Sequence, residues 1–191
     1  MRPILAAFIL GLLALPAGAS HASEDAGLDW QSVRAEESKI VIQLPEALGS
    51  GIFLRAMNDS FSSTFHVARY KSDKIRLDRA MLVYLELQPG YHFRSPRSTD
   101  RVLKWKVLQN ADIDLGQKLQ VATERGTLDV QRFRLEDRVE CAALAQTWGG
   151  SGSETTSAGT EQILGYLCEE PEVAVTLERI EQVAQAIVVR D

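Results

Sequence analysis

The sequence predicts an α+β fold: a mainly antiparallel sheet with a C-terminal helix packed on one face. Three observations predict it. Short stretches rich in β-branched and apolar residues are separated by clusters of Gly, Pro, Asn and Ser. A glycine turn, Glu124-Arg125-Gly126, joins two of these stretches as a hairpin. The last apolar stripe, from Thr176 onward, has helical rather than alternating spacing.

The chain opens with Met1-Arg2-Pro3, then an apolar run from Ile4 to Ala17, then small residues to Ala22. That is the order of a secretory signal peptide, and the run is shorter than the roughly 20 residues a membrane helix needs. Cleavage after Ala19 or after Ala22 fits. The second is preferred, because the polar Ser23-Glu24-Asp25 follows it directly. Residues 1–22 are therefore expected to be removed, leaving 23–191 as one domain in the periplasm or secreted. No twin arginine, no cysteine near the cut and no later apolar span are present.

Ser23 to Leu28 reads as a frayed start, and Trp30 to Lys39 as either a helical turn or a strand connection. Lys39 to Leu44 is β-branched and stops at Pro45, which predicts a strand. Ile52 to Met57 and Thr64 to Tyr70 are further strands between polar turns. Ala80 to Leu87 is nearly continuous apolar sequence ending at Gln88-Pro89-Gly90, as expected of a central strand buried on both faces. Tyr91 to Ser98 is an aromatic, basic loop. Val102 to Val107 alternates Val102, Lys104 and Lys106 against Leu103, Trp105 and Val107, which predicts a half-buried strand.

Lys118 to Thr123 and Thr127 to Leu135 form the hairpin. Each face of the second strand is apolar at one end and polar at the other, so it is expected to cross between environments through a bulge. Val139 to Trp148 is read as a strand, although its alanines leave a helix open. Gly149 to Gly159 has the composition of a flexible linker. Ile163 to Cys168 is the last predicted strand. Thr176 then caps a helix with Glu178 in its first turn, Val175 and Ile180 as a staple, and Leu177, Ile180, Ala184 and Ile187 as its core stripe.

Cys141 and Cys168 are the only cysteines. In an oxidising compartment two cysteines read as one disulfide, and two free buried thiols are the alternative.

The net charge is −5 but unevenly placed. Residues 66–106 hold 10 basic and 4 acidic side chains, and residues 107–191 hold 7 and 15. An acidic chain is a poor general binder of nucleic acid, so no nucleic-acid partner is expected. The basic middle segment is either a solvated surface or a face for an anionic envelope component. His92, Arg94, Arg97, Arg101 and Lys104 are its candidate anion-binding residues, because guanidinium and aromatic groups together recognise anions and planar groups.

No motif carries chemistry. His66 and His92 stand apart with no cysteine partner, so no metal site is expected. Gly149-Gly150-Ser151-Gly152-Ser153 lacks the spacing of a nucleophile elbow. Asn110-x-Asp112-x-Asp114 begins like a calcium loop, but Leu115 and Val121 stand where glycine and glutamate are needed. No cofactor and no catalytic residue are predicted.

The block Arg132-Phe133-Arg134, Cys141, Gly165-Tyr166-Leu167-Cys168, Pro171 and the final helix resembles the end of uncharacterised small secreted proteins of Gram-negative bacteria. The resemblance implies a periplasmic setting and a structural disulfide, and no activity. The sequence thus points to an exported non-enzymatic protein that binds an envelope protein or an anionic envelope component. The alternative is a small secreted hydrolase using His66 or His92.

Overall fold

The computed structural model describes residues 28–44, 48, 50–58, 63–93, 99–109, 111–136, 138–149 and 159–190. The expected signal peptide, Arg94, Arg97 and positions 150–158 of the expected linker lie outside the described residues.

Ten strands and two α-helices are described, in the order β1 (Gln31–Val33), β2 (Ile40–Ile42), β3 (Gly51–Asn58), β4 (Ser63–Tyr70), β5 (Ala80–Leu87), α1 (Thr99–Leu103), β6 (Ile113–Thr123), β7 (Gly126–Leu135), β8 (Val139–Trp148), β9 (Glu161–Cys168), α2 (Leu177–Ala186) and β10 (Ile187–Val189). Eight strands form one antiparallel sheet, ordered β1-β3-β4-β5-β9-β8-β7-β6. The sheet is central, and α2 and α1 lie on opposite faces of it.

Alternation along β5 shows why both faces must be covered. Ala80, Leu82 and Tyr84 enter one apolar cluster, and Met81 and Val83 enter the other. The first face is covered by α2, through Ile180, Val183 and Ala184, and by the small sheet of β2 and β10. Tyr70 pins that small sheet to the large one. Its hydroxyl accepts from the Ile42 N–H at 2.7 Å and donates to the Ile42 carbonyl at 3.3 Å.

The second face is covered by α1 and the turns that follow it. Here the sequence expectation fails: Val102 to Val107 is not a strand. Val102, Trp105 and Leu108 are all buried, at a spacing of three, and each successive turn closes by a backbone bond such as Leu108 N–H to Trp105 carbonyl at 2.8 Å. The apolar face of the alternation, Leu103, Trp105 and Val107, and the three-residue spacing, Val102, Trp105 and Leu108, share only Trp105. Burial of Leu108 decides for the turn.

The bulge expected in the second hairpin strand lies instead in its partner β6, between Leu115 and Lys118. Gly126 makes the hairpin turn at φ 104°, a region open to glycine. At Gly165 a Cβ would stand 2.4 Å from the Met81 carbonyl, so only glycine fits between β9 and β5.

The C-terminal helix begins as predicted, with the Thr176 hydroxyl accepting from the Arg179 N–H at 3.1 Å. Val175 and Ile180 are both buried, as a staple requires. Leu177, expected in the core, is exposed on the outer side of the helix. Ile187 leaves the helix and opens β10, because three β-branched residues in succession, Ile187-Val188-Val189, suit pairing with β2. Among the described residues no helix is long and apolar enough to cross a membrane.

Candidate functional site

Cys141 and Cys168 are directly opposed in β8 and β9 and form a disulfide, with Cα atoms 4.1 Å apart. Both are fully buried in the second-face cluster. The bond closes a separation of 27 residues, worth about 3.5 kcal/mol in the chain-entropy account. It marks one end of the sheet, here called the disulfide end. The opposite end is aromatic: Tyr84 stacks on Trp148 at 6.0 Å, and the Arg125 guanidinium lies 5.8 Å from the Trp148 ring centroid.

Of the predicted anion-binding residues, His92, Arg101 and Lys104 are among the described residues. His92 is exposed in the segment after β5, whose Phe93 N–H donates to the Gly159 carbonyl at 2.9 Å. Arg101 lies on α1 and Lys104 just beyond it, both exposed and three residues apart.

His66 is 3% exposed in β4. Its Nδ1 accepts from the Lys39 N–H at 3.3 Å, and its ring lies against Tyr84. Burial, with the positive charges of Arg55 and Lys39, pushes its pKa down to about 4. It is a neutral ring at pH 7, with one nitrogen already engaged. Asp114 lies in β6 opposite Arg134, so residues 113–121, the greater part of a twelve-residue calcium loop starting at Asn110, are extended strand. Among the described residues no three His, Cys, Asp or Glu side chains are grouped to hold a metal ion.

Two concavities stand out. One, of about 530 Å3, lies beside the N-terminus of α1 and is lined mostly by polar groups that bond one another. Gln120 Nε2 donates to Asp129 at 2.8 Å, and Lys118 lies 4.0 Å from Asp100. The other is a groove of about 390 Å3 at the disulfide end. The 74–77 segment forms one wall, the turn between β7 and β8 another, and Val107 and Ala111 a third. Its floor is apolar, from Ile75, Leu77, Leu135 and Val139, and its rim carries Lys74, Arg76, Glu136 and Arg138.

Charge pairing around this groove is dense. Glu169 is buried and takes two guanidiniums at 2.6 Å each, Arg79 and Arg179. Arg69 meets Asp78 at 2.6 Å, and Lys74 meets Glu170 at 2.6 Å. The Lys74 ammonium holds the Glu170 carboxyl below its usual range. Burial pushes Glu140 up, but the Val175 N–H, Arg132 and Arg134 outweigh it and hold the carboxyl low. Arg76 and Arg138 are the exceptions: both are exposed, and neither has an ion-pair partner among the described residues.

Lys74 and Arg76 belong to the basic middle segment, residues 66–106, but not to its candidate residues His92, Arg94, Arg97, Arg101 and Lys104. Arg138 carried no signal, since only the fold brings the β7–β8 turn beside residues 74–77. No protein-family model, curated protein or solved structure matches this chain.

Proposed function

We propose that this chain is an exported, non-enzymatic protein of the Gram-negative periplasm that binds an envelope partner through the groove at the disulfide end. The observation that carries this reading is an apolar floor between two exposed guanidiniums that have no ion-pair partner among the described residues. Binding sites combine an apolar floor with a few placed polar groups in this way. A signal-type N-terminus and a disulfide, which persists in oxidising compartments, support the location. Binding is favoured over hydrolysis because His66 is buried, engaged by a backbone donor and disfavoured as a cation. A base of that kind has little proton affinity at neutral pH.

The test is site-directed photocrosslinking in the intact periplasm. A photoreactive residue at Val107, inside the groove, should give a discrete product. The same residue at Leu177, exposed on α2 over the other face, should not. No product from Val107, or the same product from both positions, contradicts the proposal.

A further inference from the structure

We infer that the occupant of this groove is an acidic peptide segment in which apolar side chains stand beside one or two carboxylates. The inference rests on the reading of the groove as the contact face and names the chemistry of what fits it.

Charge complementarity comes first. Arg76 and Arg138 stand on different walls, while Lys74 on the same rim is already neutralised by Glu170. The groove therefore offers two guanidiniums, each able to take a carboxylate through two parallel hydrogen bonds. Glu136 on the same rim sets the limit. Its carboxylate repels a ligand that is anionic along its whole length, so a polyanion fits poorly and a segment of mixed character fits well.

The apolar part follows from burial. Ile75, Leu77, Val107 and Val139 are only half-buried, and the charged rim is exposed, so the groove is shallow and open. An acyl chain lying here would keep one side in water. A peptide seals the site with its own backbone and neighbouring side chains while one or two apolar groups reach the floor.

The wall formed by the turn between β7 and β8 is tied to its surroundings by backbone hydrogen bonds. Glu136 and Glu172, at φ 49° and 69°, are the non-glycine residues of positive φ among the described residues. Both adjoin Arg138. Glu136 N–H donates to the Asp112 carbonyl at 3.3 Å, and Glu172 N–H donates to the Arg138 carbonyl at 3.3 Å. Such backbone persists only where its surroundings over-determine it. The disulfide lies two residues beyond Val139 and three before Pro171, both of which line the groove. A preorganised rim loses little entropy when a ligand is bound.

The experiment uses a phage-displayed random heptapeptide library against the intact mature protein and against Arg76→Glu/Arg138→Glu, with circular dichroism confirming that the variant is folded. Peptides selected by the unmodified protein should be enriched in Asp or Glu next to Leu, Ile, Val or Phe. A selected peptide, labelled with fluorescein, should bind the charge-reversed variant at least about 10-fold more weakly. It should also bind several-fold more weakly at high than at low salt. Absence of acidic-apolar enrichment, or selection unchanged by charge reversal, overturns the inference. So do binding to phosphatidylglycerol vesicles that the variant loses while no peptide is selected, and a concentration-dependent dimer that the variant abolishes. Should the photocrosslink at Val107 form while no acidic peptide is selected, the groove is the contact face and the peptide chemistry is wrong. Should peptides be selected without that crosslink, the chemistry holds and the envelope partner does not.

Discussion

The two ends of the large sheet are held by different means. At the disulfide end, Cys141–Cys168 is surrounded by the buried Glu169 with its two arginines, by Arg69–Asp78, and by Glu140 between Arg132 and Arg134. At the aromatic end, Tyr84, Trp148 and Arg125 stack, the Tyr84 hydroxyl donates to Glu161 at 2.8 Å, and Lys39 meets Glu86 at 2.9 Å. The first end is stitched covalently and by buried charge, and the second by ring contacts and half-exposed hydrogen bonds. A buried ion pair is weak evidence for net stability, but removing one partner leaves an unpaired charge and costs several kcal/mol. The stitching therefore fixes geometry more surely than it adds stability. The groove, whose Arg76 and Arg138 have no ion-pair partner among the described residues, lies at the fixed end.

Breaking the stitches should show the asymmetry. Replacing both cysteines by alanine should lower unfolding stability by about 3 kcal/mol, read from denaturant midpoints without reductant. Free thiols titrating in the native protein would contradict the pairing. Glu169→Gln should cost about 2–3 kcal/mol, because Arg79 and Arg179 are then left largely buried without their carboxylate. A loss below about 0.5 kcal/mol would mean that solvent already screens the network.

At the aromatic end the effects should be smaller and depend on pH. Folded His66 has a pKa of about 4, against roughly 6.5 in an unfolded chain. Below pH 6.5 the unfolded chain takes up a proton that the folded chain refuses. Stability is thus full above that pH and falls as pH drops towards 4. His66→Asn should flatten this part of the pH profile, and an unchanged slope would assign it to other groups. Tyr84→Phe, which removes only the bond to Glu161, should cost about 1 kcal/mol. A larger loss would show that the ring stack depends on that hydroxyl.

Much of this fold was legible in local sequence. Ala80 to Leu87 reads as a doubly buried strand because nearly every residue is apolar, and it lies between β4 and β9. Val139 to Trp148 and the Thr176 cap also stand where the sequence puts them. What failed was a choice between two periods at Val102 to Leu108, which only the neighbouring sheet could settle. Ile187 failed for a related reason: its helical spacing is real, but β2 offers it a pairing partner that no local pattern reveals. The groove was the least legible feature. Ile75, Val107 and Val139 are ordinary apolar residues far apart in sequence, and Arg76 and Arg138 stand out only because their neighbours find carboxylates and they find none among the described residues.

The most direct measurement compares two charge reversals in one binding assay with the same acidic peptide. Arg76→Glu/Arg138→Glu alters the groove, and Arg101→Glu/Lys104→Glu alters exposed cations on and just after α1. Both pairs are exposed, so each should leave stability within about 0.5 kcal/mol. The account predicts that affinity falls at least about 10-fold in the groove variant and stays within about 2-fold in the other. Equal losses in the two variants, or a loss confined to Arg101 and Lys104, would contradict it and return the binding face to the basic segment as the sequence alone describes it.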